Sequence, residues 1–205
     1  MGLRNRTLFD KNGNVLFITT TVMNFERIFS LGNNYSDILI SSLKYLIKEH
    51  NAYLLSYVIM PSHIHFIIAL PTNESISDFM RDFKKYTSTK IRKQLESDNH
   101  AEIIESLRSN AIGKKNQMFK LWMDRFDDVV IYSEEILKIK INYIHNNPVK
   151  ANLVSNPENW IYSSAGNYLK SDNSIIEVYT DWDFDLNRQD VSPDGTLKVI
   201  NEVVA

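Results

Sequence analysis

The stretch from residue 53 to residue 70 constrains the fold more than any other part of the sequence. It consists almost entirely of β-branched, aromatic and aliphatic residues, and Met60-Pro61-Ser62 divides it into two runs of strand length. Such runs predict two β-strands. The second run contains His63-Ile64-His65. Because alternate side chains of a strand point to the same face, both imidazoles leave one face about 6.6 Å apart.

Two neutral imidazoles at this spacing can bind one divalent metal ion of the first transition row. The alternative is that His63 and His65 are polar side chains of a half-exposed strand, which is the commoner origin of such a pair. The residues between and after them favour the metal interpretation, because Ile64, Phe66 and Ile68 fall on the opposite face and can supply the core. The remaining histidines lack such a partner and are predicted to be exposed or capping: His50, His100 and His145.

The flanking segments give the order of the elements. Strands are predicted at 15–22, 53–59, 63–70 and 125–131, and helices at 35–49, 75–95 and from Ser133 onward. The order strand, helix, strand, strand, helix, strand is that of an α+β, ferredoxin-like fold with a split βαβ unit. It predicts an antiparallel sheet with two helices on one face. The third helix, which bears Tyr143, can then cover part of the other face near the histidine strand.

Tyr143 and Asn147 lie four residues apart near the end of the third predicted helix. At that spacing they share one helix face. The helix is predicted to stop at Asn147-Pro148, because a residue before proline disfavours helical geometry. A tyrosine hydroxyl has a pKa near 10 and is a poor nucleophile unless a metal or base assists it. Since the chain has ten tyrosines, each is by default a packing or surface residue, and only position relative to the histidine pair distinguishes Tyr143.

Composition and charge exclude several classes of site. The chain of 205 residues has no cysteine, which excludes disulfides, thiolate metal sites and cysteine nucleophiles. It has no signal-peptide pattern and no apolar run long enough to cross a membrane, so we expect a soluble cytoplasmic protein. Residues 171–205 carry eight acidic and two basic side chains, whereas the preceding 170 carry 17 acidic and 21 basic ones. A mildly basic body of this kind is compatible with phosphate binding.

Five segments together carry a resemblance to a known family. They occur in the family's order and spacing at residues 57–71, 83–88, 121–131, 143–154 and 157–164. With these segments the chain, from about residue 10 to residue 170, resembles the single-tyrosine HUH transposases, and within them the REP-associated tyrosine transposases. Each segment alone is weak evidence, whereas five in order are strong evidence.

The resemblance implies a mechanism. His63 and His65 would be the HUH metal ligands, with Asn147 as a third polar ligand, and the cofactor would be Mg²⁺ or Mn²⁺. Tyr143 would attack a phosphate of single-stranded DNA, form a 5′-phosphotyrosine link and release a 3′-hydroxyl. The DNA partner would be a hairpin of the kind formed by repeated extragenic palindromes. The resemblance also favours a monomer over a dimer.

Basic and aromatic residues on the second helix and after it are candidates for DNA contacts. Side chains of these types suit phosphate binding and base stacking, although a solvated helix face has the same composition. The candidates are Lys84, Lys85, Tyr86, Lys90, Arg92, Lys93, Lys114, Lys115, Lys120 and Arg125.

The expected domain organisation is a nuclease domain at 1–170, with an insertion at 96–118, followed by an acidic extension at 171–205. We hypothesise that the extension folds over the basic face and weakens DNA binding.

Two other functions remain open at the level of sequence. One is a non-catalytic nucleic-acid-binding module with an RNA-recognition-like sheet, although such a module should carry paired aromatics where this chain has histidines. The other is an HUH relaxase or replication initiator.

Overall fold

The computed structural model describes residues 15–112 and 118–180. The sheet strands are β1 (Val15–Thr21), β2 (Tyr53–Met60), β3 (His63–Ala69) and β4 (Asp127–Ile131). The helices are α1 (Asn33–Glu49), α2 (Ile76–Ser97), α3 (Ala101–Ser109), α4 (Glu134–Lys150) and α5 (Ala165–Lys170). None of these described helices is long and apolar enough to cross a membrane.

The four strands form one antiparallel sheet in the order β2-β3-β1-β4. Helices α1 and α2 cover one face, where their apolar residues pack against alternate strand residues such as Ile18, Ile64 and Phe66. The predicted α+β, ferredoxin-like fold is therefore confirmed. The prediction that Ile64, Phe66 and Ile68 supply the core opposite the histidines is also confirmed, since all three are fully buried in this cluster.

Helix α4 packs on the other face of the sheet. Its residues Leu137, Ile141 and Ile144 form a second apolar cluster with strand residues that include Phe17 and Val58. Ser133 caps the helix as predicted, because its side chain accepts a hydrogen bond from the Ile136 N–H at 3.2 Å. The tyrosine-bearing helix thus covers the face on which the histidines lie, as the sequence predicts.

The predicted end of α4 was wrong. The helix continues through Pro148 to Lys150. Proline removes one N–H and prefers other positions, but here its ring is buried. The chain after it still closes the last turn: the N–H of Ala151 donates to the carbonyl of Asn147, and that of Leu153 to the carbonyl of Pro148.

Helix α3, which falls within the predicted insertion at 96–118, contributes to the core. Its residues Ile104 and Leu107 are buried in the same apolar cluster as residues of α1 and α2. The segment at 160–179 also packs closely, along the outer edge of β2. Backbone hydrogen bonds join Ile59 to Tyr162, Tyr57 to Ser164 and Leu54 to Tyr179. Covering an edge strand in this way prevents it from pairing with another chain.

Candidate active site

The two histidines lie at the start of β3, in the middle of the sheet. His63 is opposite Thr21 of β1 and Met60 of β2, whereas His65 is opposite Thr19 and Val58. The centroids of the two imidazole rings are 4.8 Å apart. The strand alternation therefore brings the pair together as the sequence predicts.

Each imidazole is held through its Nδ1 atom by a neighbouring hydroxyl. The Oγ1 of Thr19 is 2.8 Å from Nδ1 of His65, and the Oγ of Ser62 is 3.3 Å from Nδ1 of His63. In the tautomer in which Nδ1–H donates to the hydroxyl oxygen, Nε2 keeps its lone pair. Hydrogen bonds of this type orient the histidines of metal sites. The arrangement therefore leaves two Nε2 atoms for a ligand.

The surroundings keep both rings neutral. Burial lowers the pKa of His63. The pKa of His65 is lowered to about 3, first by burial and then by the charges of His63 and Lys140. Phe17 stacks on the His65 ring with centroids 5.5 Å apart and contributes to that burial. An imidazole must be neutral to bind a metal ion, and at neutral pH both meet this requirement.

Tyr143 of α4 contacts His65, one of the two histidines. Its ring centroid is 5.3 Å from that of His65 and 5.9 Å from that of Phe17, and both contacts are edge-on. The side chain is 38% exposed, so its hydroxyl is not sealed in the core. The packing of Leu137, Ile141 and Ile144 sets this position. The structure thus joins the two features that the sequence singled out in separate halves of the chain.

Asn147 follows one helical turn after Tyr143 and is half-buried. Within the described residues its side chain makes no hydrogen bond, so its amide oxygen is available. No third histidine, cysteine, aspartate or glutamate of the described part joins His63 and His65 in a metal-binding group. Two imidazoles and one amide oxygen form a donor set that suits a divalent ion with open coordination positions. The residues therefore fit the metal that the resemblance implies.

Two lysines of α4 flank the tyrosine, and sequence reasoning did not select them. The Nζ of Lys140 is 4.6 Å from the ring centroid of Phe17 and 5.9 Å from that of Tyr143. The Nζ of Lys150 is 5.6 Å from the Tyr143 ring centroid. The spacing of three and seven residues from Tyr143 was the available signal, because residues at those spacings share a helix face.

The prediction that His145 is exposed or capping was wrong. Its ring is buried, and its Nε2 atom is 2.8 Å from Oγ of Ser164 and 3.3 Å from Oγ of Ser56. Ser56 lies on the face of β2 that also presents Val58 and Met60 to α4, and Ser164 belongs to the segment along the outer edge of β2. Burial lowers the pKa of His145 to about 4. His145 therefore anchors the helix.

His50 is buried and occupies the position that ends helix α1, as the capping alternative predicts. Its Nδ1 atom is 2.6 Å from a carboxylate oxygen of Glu74. This contact joins the end of α1 to the residues just before α2. His100 precedes α3 at its capping position without a side-chain hydrogen bond.

The basic and aromatic candidates for DNA contacts differ in what surrounds them. Lys84 is partly buried, and its ammonium group donates to the carbonyls of Met123 and Arg125 at 2.8 and 3.1 Å. Lys85 and Arg92 line a groove of about 620 Å³ between α2 and residues 118–124. Tyr86 contacts Tyr45 of α1. The other described candidates are the exposed Lys90, Lys93 and Arg125 and the buried Lys120, whereas Lys114 and Lys115 lie outside the described residues.

The groove adjoins the histidine end of the sheet. The N–H of Met123, in the groove wall, donates to the carbonyl of Thr21, which is opposite His63 in the sheet. The lining also includes the hydroxyls of Ser88 and Thr89, the exposed Met118 and one acidic residue, Asp124. Basic side chains, hydroxyls and apolar surface thus occur together, beside one carboxylate, at the end of the sheet where His63 lies.

Comparisons with known proteins agree with the resemblance seen in the motifs. Residues 19–147 match the family described as transposase IS200 like. A REP-associated tyrosine transposase of Haemophilus influenzae is 27% identical over 175 residues, which are 85% of this chain and 89% of that protein. The solved structure of a REP-associated tyrosine transposase bound to a REP hairpin aligns with a TM-score of 0.56 at 21% identity. That alignment covers 92% of this chain and 94% of the other, and it shows a shared fold.

Proposed function

Since the chain belongs to the transposase IS200-like family, we propose that it cuts and rejoins single-stranded DNA with Tyr143 as the nucleophile. The observation that carries the proposal is the contact of the Tyr143 ring with His65, at 5.3 Å between centroids, beside a second histidine. A tyrosine that only packed against the sheet would not need two neutral imidazoles next to it.

His63, His65 and Asn147 would hold Mg²⁺ or Mn²⁺. The ion would supply Lewis-acid polarisation of a phosphate oxygen. Two features of the chain support this assignment. Burial keeps both rings neutral, and the hydroxyls of Thr19 and Ser62 occupy the Nδ1 atoms so that Nε2 is available.

The cleavage step is a transfer of the phosphoryl group to Tyr143. A bond forms between the tyrosine oxygen and phosphorus, and the bond from phosphorus to the 3′-oxygen breaks. The phenolic proton passes to solvent, and the leaving 3′-oxygen gains a proton. The products are a 5′-phosphotyrosine link and a free 3′-hydroxyl. Attack of a 3′-hydroxyl on the link reverses the step and rejoins DNA, so no external energy source is required.

The DNA partner that we propose is a hairpin with an adjoining single strand. The structural relative described above is bound to a REP hairpin, and the fold is shared. Lys85 and Arg92 in the groove, and Arg125 at the approach to β4, would contact phosphates. Lys90 and Lys93 are exposed and could contribute further. The contact between tyrosine and histidines within one chain supports a monomer.

A covalent-trapping assay tests the proposal. The full chain is mixed with single-stranded hairpin DNA and Mn²⁺, and the products are separated on a denaturing gel. We expect a slow-migrating protein–DNA adduct that requires the metal. It should be absent in Tyr143→Phe and in the His63→Ala, His65→Ala double variant. Tyr132→Phe is the matched control, because that tyrosine is also exposed but precedes α4.

The negative result is equally informative. If no adduct forms with a pool of palindromic hairpins, although the protein binds them, the chain is a non-catalytic nucleic-acid-binding module. An adduct that persists in Tyr143→Phe would contradict the assignment of the nucleophile.

A further inference from the structure

The ammonium group of Lys140 lies near an aromatic ring of the sheet and one of its own helix, those of Phe17 and Tyr143. Lys140 is one turn before Tyr143 and is half-buried. Its Nζ atom contacts the rings of Phe17 and Tyr143, and its charge helps to lower the pKa of His65. Within the described residues these are its contacts, and no carboxylate pairs with it. A buried or half-buried cation without an anion is unusual, since removing a charge from water is costly unless a partner compensates it.

The chemistry next to Lys140 supplies such a partner. A phosphodiester that reaches Tyr143 brings a negative charge, and that charge spreads over the non-bridging oxygens during transfer. His63 and His65 are neutral, so apart from the metal ion that they would hold they do not balance the negative charge of the phosphate. We propose that Lys140 is a catalytic residue that contacts the non-bridging oxygens of the scissile phosphate and stabilises their charge in the transition state. This inference rests on the proposed function, because it requires Tyr143 to be the nucleophile.

Lys140 suits this role better than the second lysine near the tyrosine. Lys150 lies in the last turn of α4, where a cation also interacts favourably with the helix dipole, and it is exposed. Solvent therefore screens its charge more strongly than that of Lys140. The Phe17 ring holds the Lys140 ammonium group at 4.6 Å from its centroid, which fixes the cation before the phosphate arrives. A preorganised charge of this kind contributes to the rate, because it needs no rearrangement during the reaction.

The test separates the rate of chemistry from DNA binding. Lys140→Gln keeps a comparable side-chain length and removes the charge, whereas Lys140→Arg keeps the charge. Lys138→Gln is the matched control, since Lys138 is on the same helix but exposed and paired with Glu134. Adduct formation is measured under single-turnover conditions with saturating hairpin DNA and Mn²⁺. The dissociation constant of the hairpin is measured separately, and thermal unfolding verifies the fold.

We expect Lys140→Gln to slow adduct formation ~100-fold, the typical effect of removing one fixed stabilising group. Its hairpin affinity should change by less than about threefold, since one phosphate contact is a small part of binding. Lys140→Arg should recover most of the rate, and Lys138→Gln should react like the wild type. A Lys140→Gln rate equal to that of the wild type would overturn the inference. So would an equal loss in Lys140→Arg, because the charge would then not be what matters.

Tyr143→Phe in the same series separates this inference from the proposed function. If the wild type forms the adduct, Tyr143→Phe does not, and Lys140→Gln reacts normally, only the role of Lys140 fails. If the wild type forms no adduct, or if Tyr143→Phe still forms it, the proposed function fails and this inference fails with it.

Discussion

Two buried histidines lie at the interface between helix α4 and the sheet, His65 on the sheet and His145 on the helix itself, and they differ in how their ring nitrogens are used. On the flank toward β1 and β3, Tyr143 lies over His65, whose Nδ1 contacts a hydroxyl. On the flank toward β2, the Nε2 of His145 contacts the hydroxyls of Ser56 and Ser164. Both rings are neutral at pH 7, because the pKa of His65 is lowered to about 3 and that of His145 to about 4.

The difference shows that burial and a lowered pKa do not by themselves identify a functional histidine. What separates the two sites is the nitrogen that remains available and the groups around it. Beside His65 are a second histidine, a half-exposed tyrosine and a lysine with which no carboxylate of the described residues pairs. Around His145, Tyr168 packs edge-on against the ring, and its hydroxyl donates to the carbonyl of Leu55. One flank is therefore suited to chemistry and the other to holding the helix.

The largest expected effect is on the rate of adduct formation when His65, on the flank suited to chemistry, is replaced. His65→Ala should reduce covalent adduct formation ~1000-fold or more, because a metal ion contributes several kcal/mol of transition-state stabilisation. Adduct yield over time with saturating hairpin DNA and Mn²⁺ gives the rate. Hairpin binding should persist in the variant. A rate within about tenfold of the wild type would mean that His65 holds no catalytic metal.

The next effect concerns stability on the other flank. His145→Ala should destabilise the protein by about 2–4 kcal/mol, since it removes a buried ring and the contacts of its Nε2 atom with the Ser56 and Ser164 hydroxyls. Urea unfolding at pH 7 measures the loss. Ser164→Ala should cost less, about 1–2 kcal/mol. If His145→Ala unfolds at the same urea concentration as the wild type, His145 is not an anchor of α4.

The stability contributed by His145 should also depend on pH. The folded-state pKa of about 4 lies below the unfolded value near 6.5, so the unfolded chain binds the proton more readily between these values. The contribution is complete above pH 6.5 and is lost as pH falls toward 4. From pH 7 to 4.5 the loss should be about 2–3 kcal/mol.

The variant His145→Gln isolates the part of this pH dependence that is due to His145. His63 and His65 also favour the neutral state in the folded protein, and both are retained in the variant. Unfolding free energies at pH 7 and 4.5 should differ less in His145→Gln than in the wild type. An equal difference in the two proteins would show that His145 titrates normally.

Addition of a divalent metal should change the stability of the folded protein by a comparable amount. An ion that binds the folded state alone stabilises it by about 2.7 kcal/mol at a hundredfold excess over Kd. Mn²⁺ should therefore raise the melting temperature of the wild type and of Ser164→Ala, but not that of the His63→Ala, His65→Ala double variant. An increase of the same size in the double variant would place the metal elsewhere.

The smallest expected effect concerns the groove beside α2. Lys85→Ala and Arg92→Ala should each weaken hairpin binding a few-fold and lower the slope of log Kd against log salt by about 1. Lys44→Ala, an exposed lysine on α1, is the control and should change neither quantity. Equal weakening by all three variants would indicate a diffuse charge effect instead of a groove contact.

The sequence predicted the parts of the site that depend on regular geometry. Strand alternation placed His63 and His65 on one face of the sheet, and helical spacing placed Tyr143 and Asn147 on one face of α4. It failed where the surroundings of a residue come from distant segments. The partners of His145 are Ser56 of β2 and Ser164 of the segment along the edge of β2, and no local pattern brings them to the helix, so His145 was predicted to be exposed or capping. The end of α4 was missed because tertiary packing of Pro148 outweighs a local preference.

Lys140 was missed for a different reason. A lysine on a helix surface is ordinary, and its significance appears only when Phe17 of a distant strand lies beneath it. The division of the basic candidates on α2 also required the three-dimensional structure. Lys84 and Lys85 both line the groove, but the ammonium group of Lys84 donates to backbone carbonyls, whereas Lys85 is exposed.

The most direct test of the account is to identify the residue that carries the DNA. The adduct formed with hairpin DNA and Mn²⁺ is digested with nuclease and protease, and the remaining nucleotide mass is located by tandem mass spectrometry. We predict a 5′-phosphotyrosine at Tyr143, on the flank of α4 that faces His65. A nucleotide on any other residue would contradict the account, because Tyr143 would then not be the nucleophile.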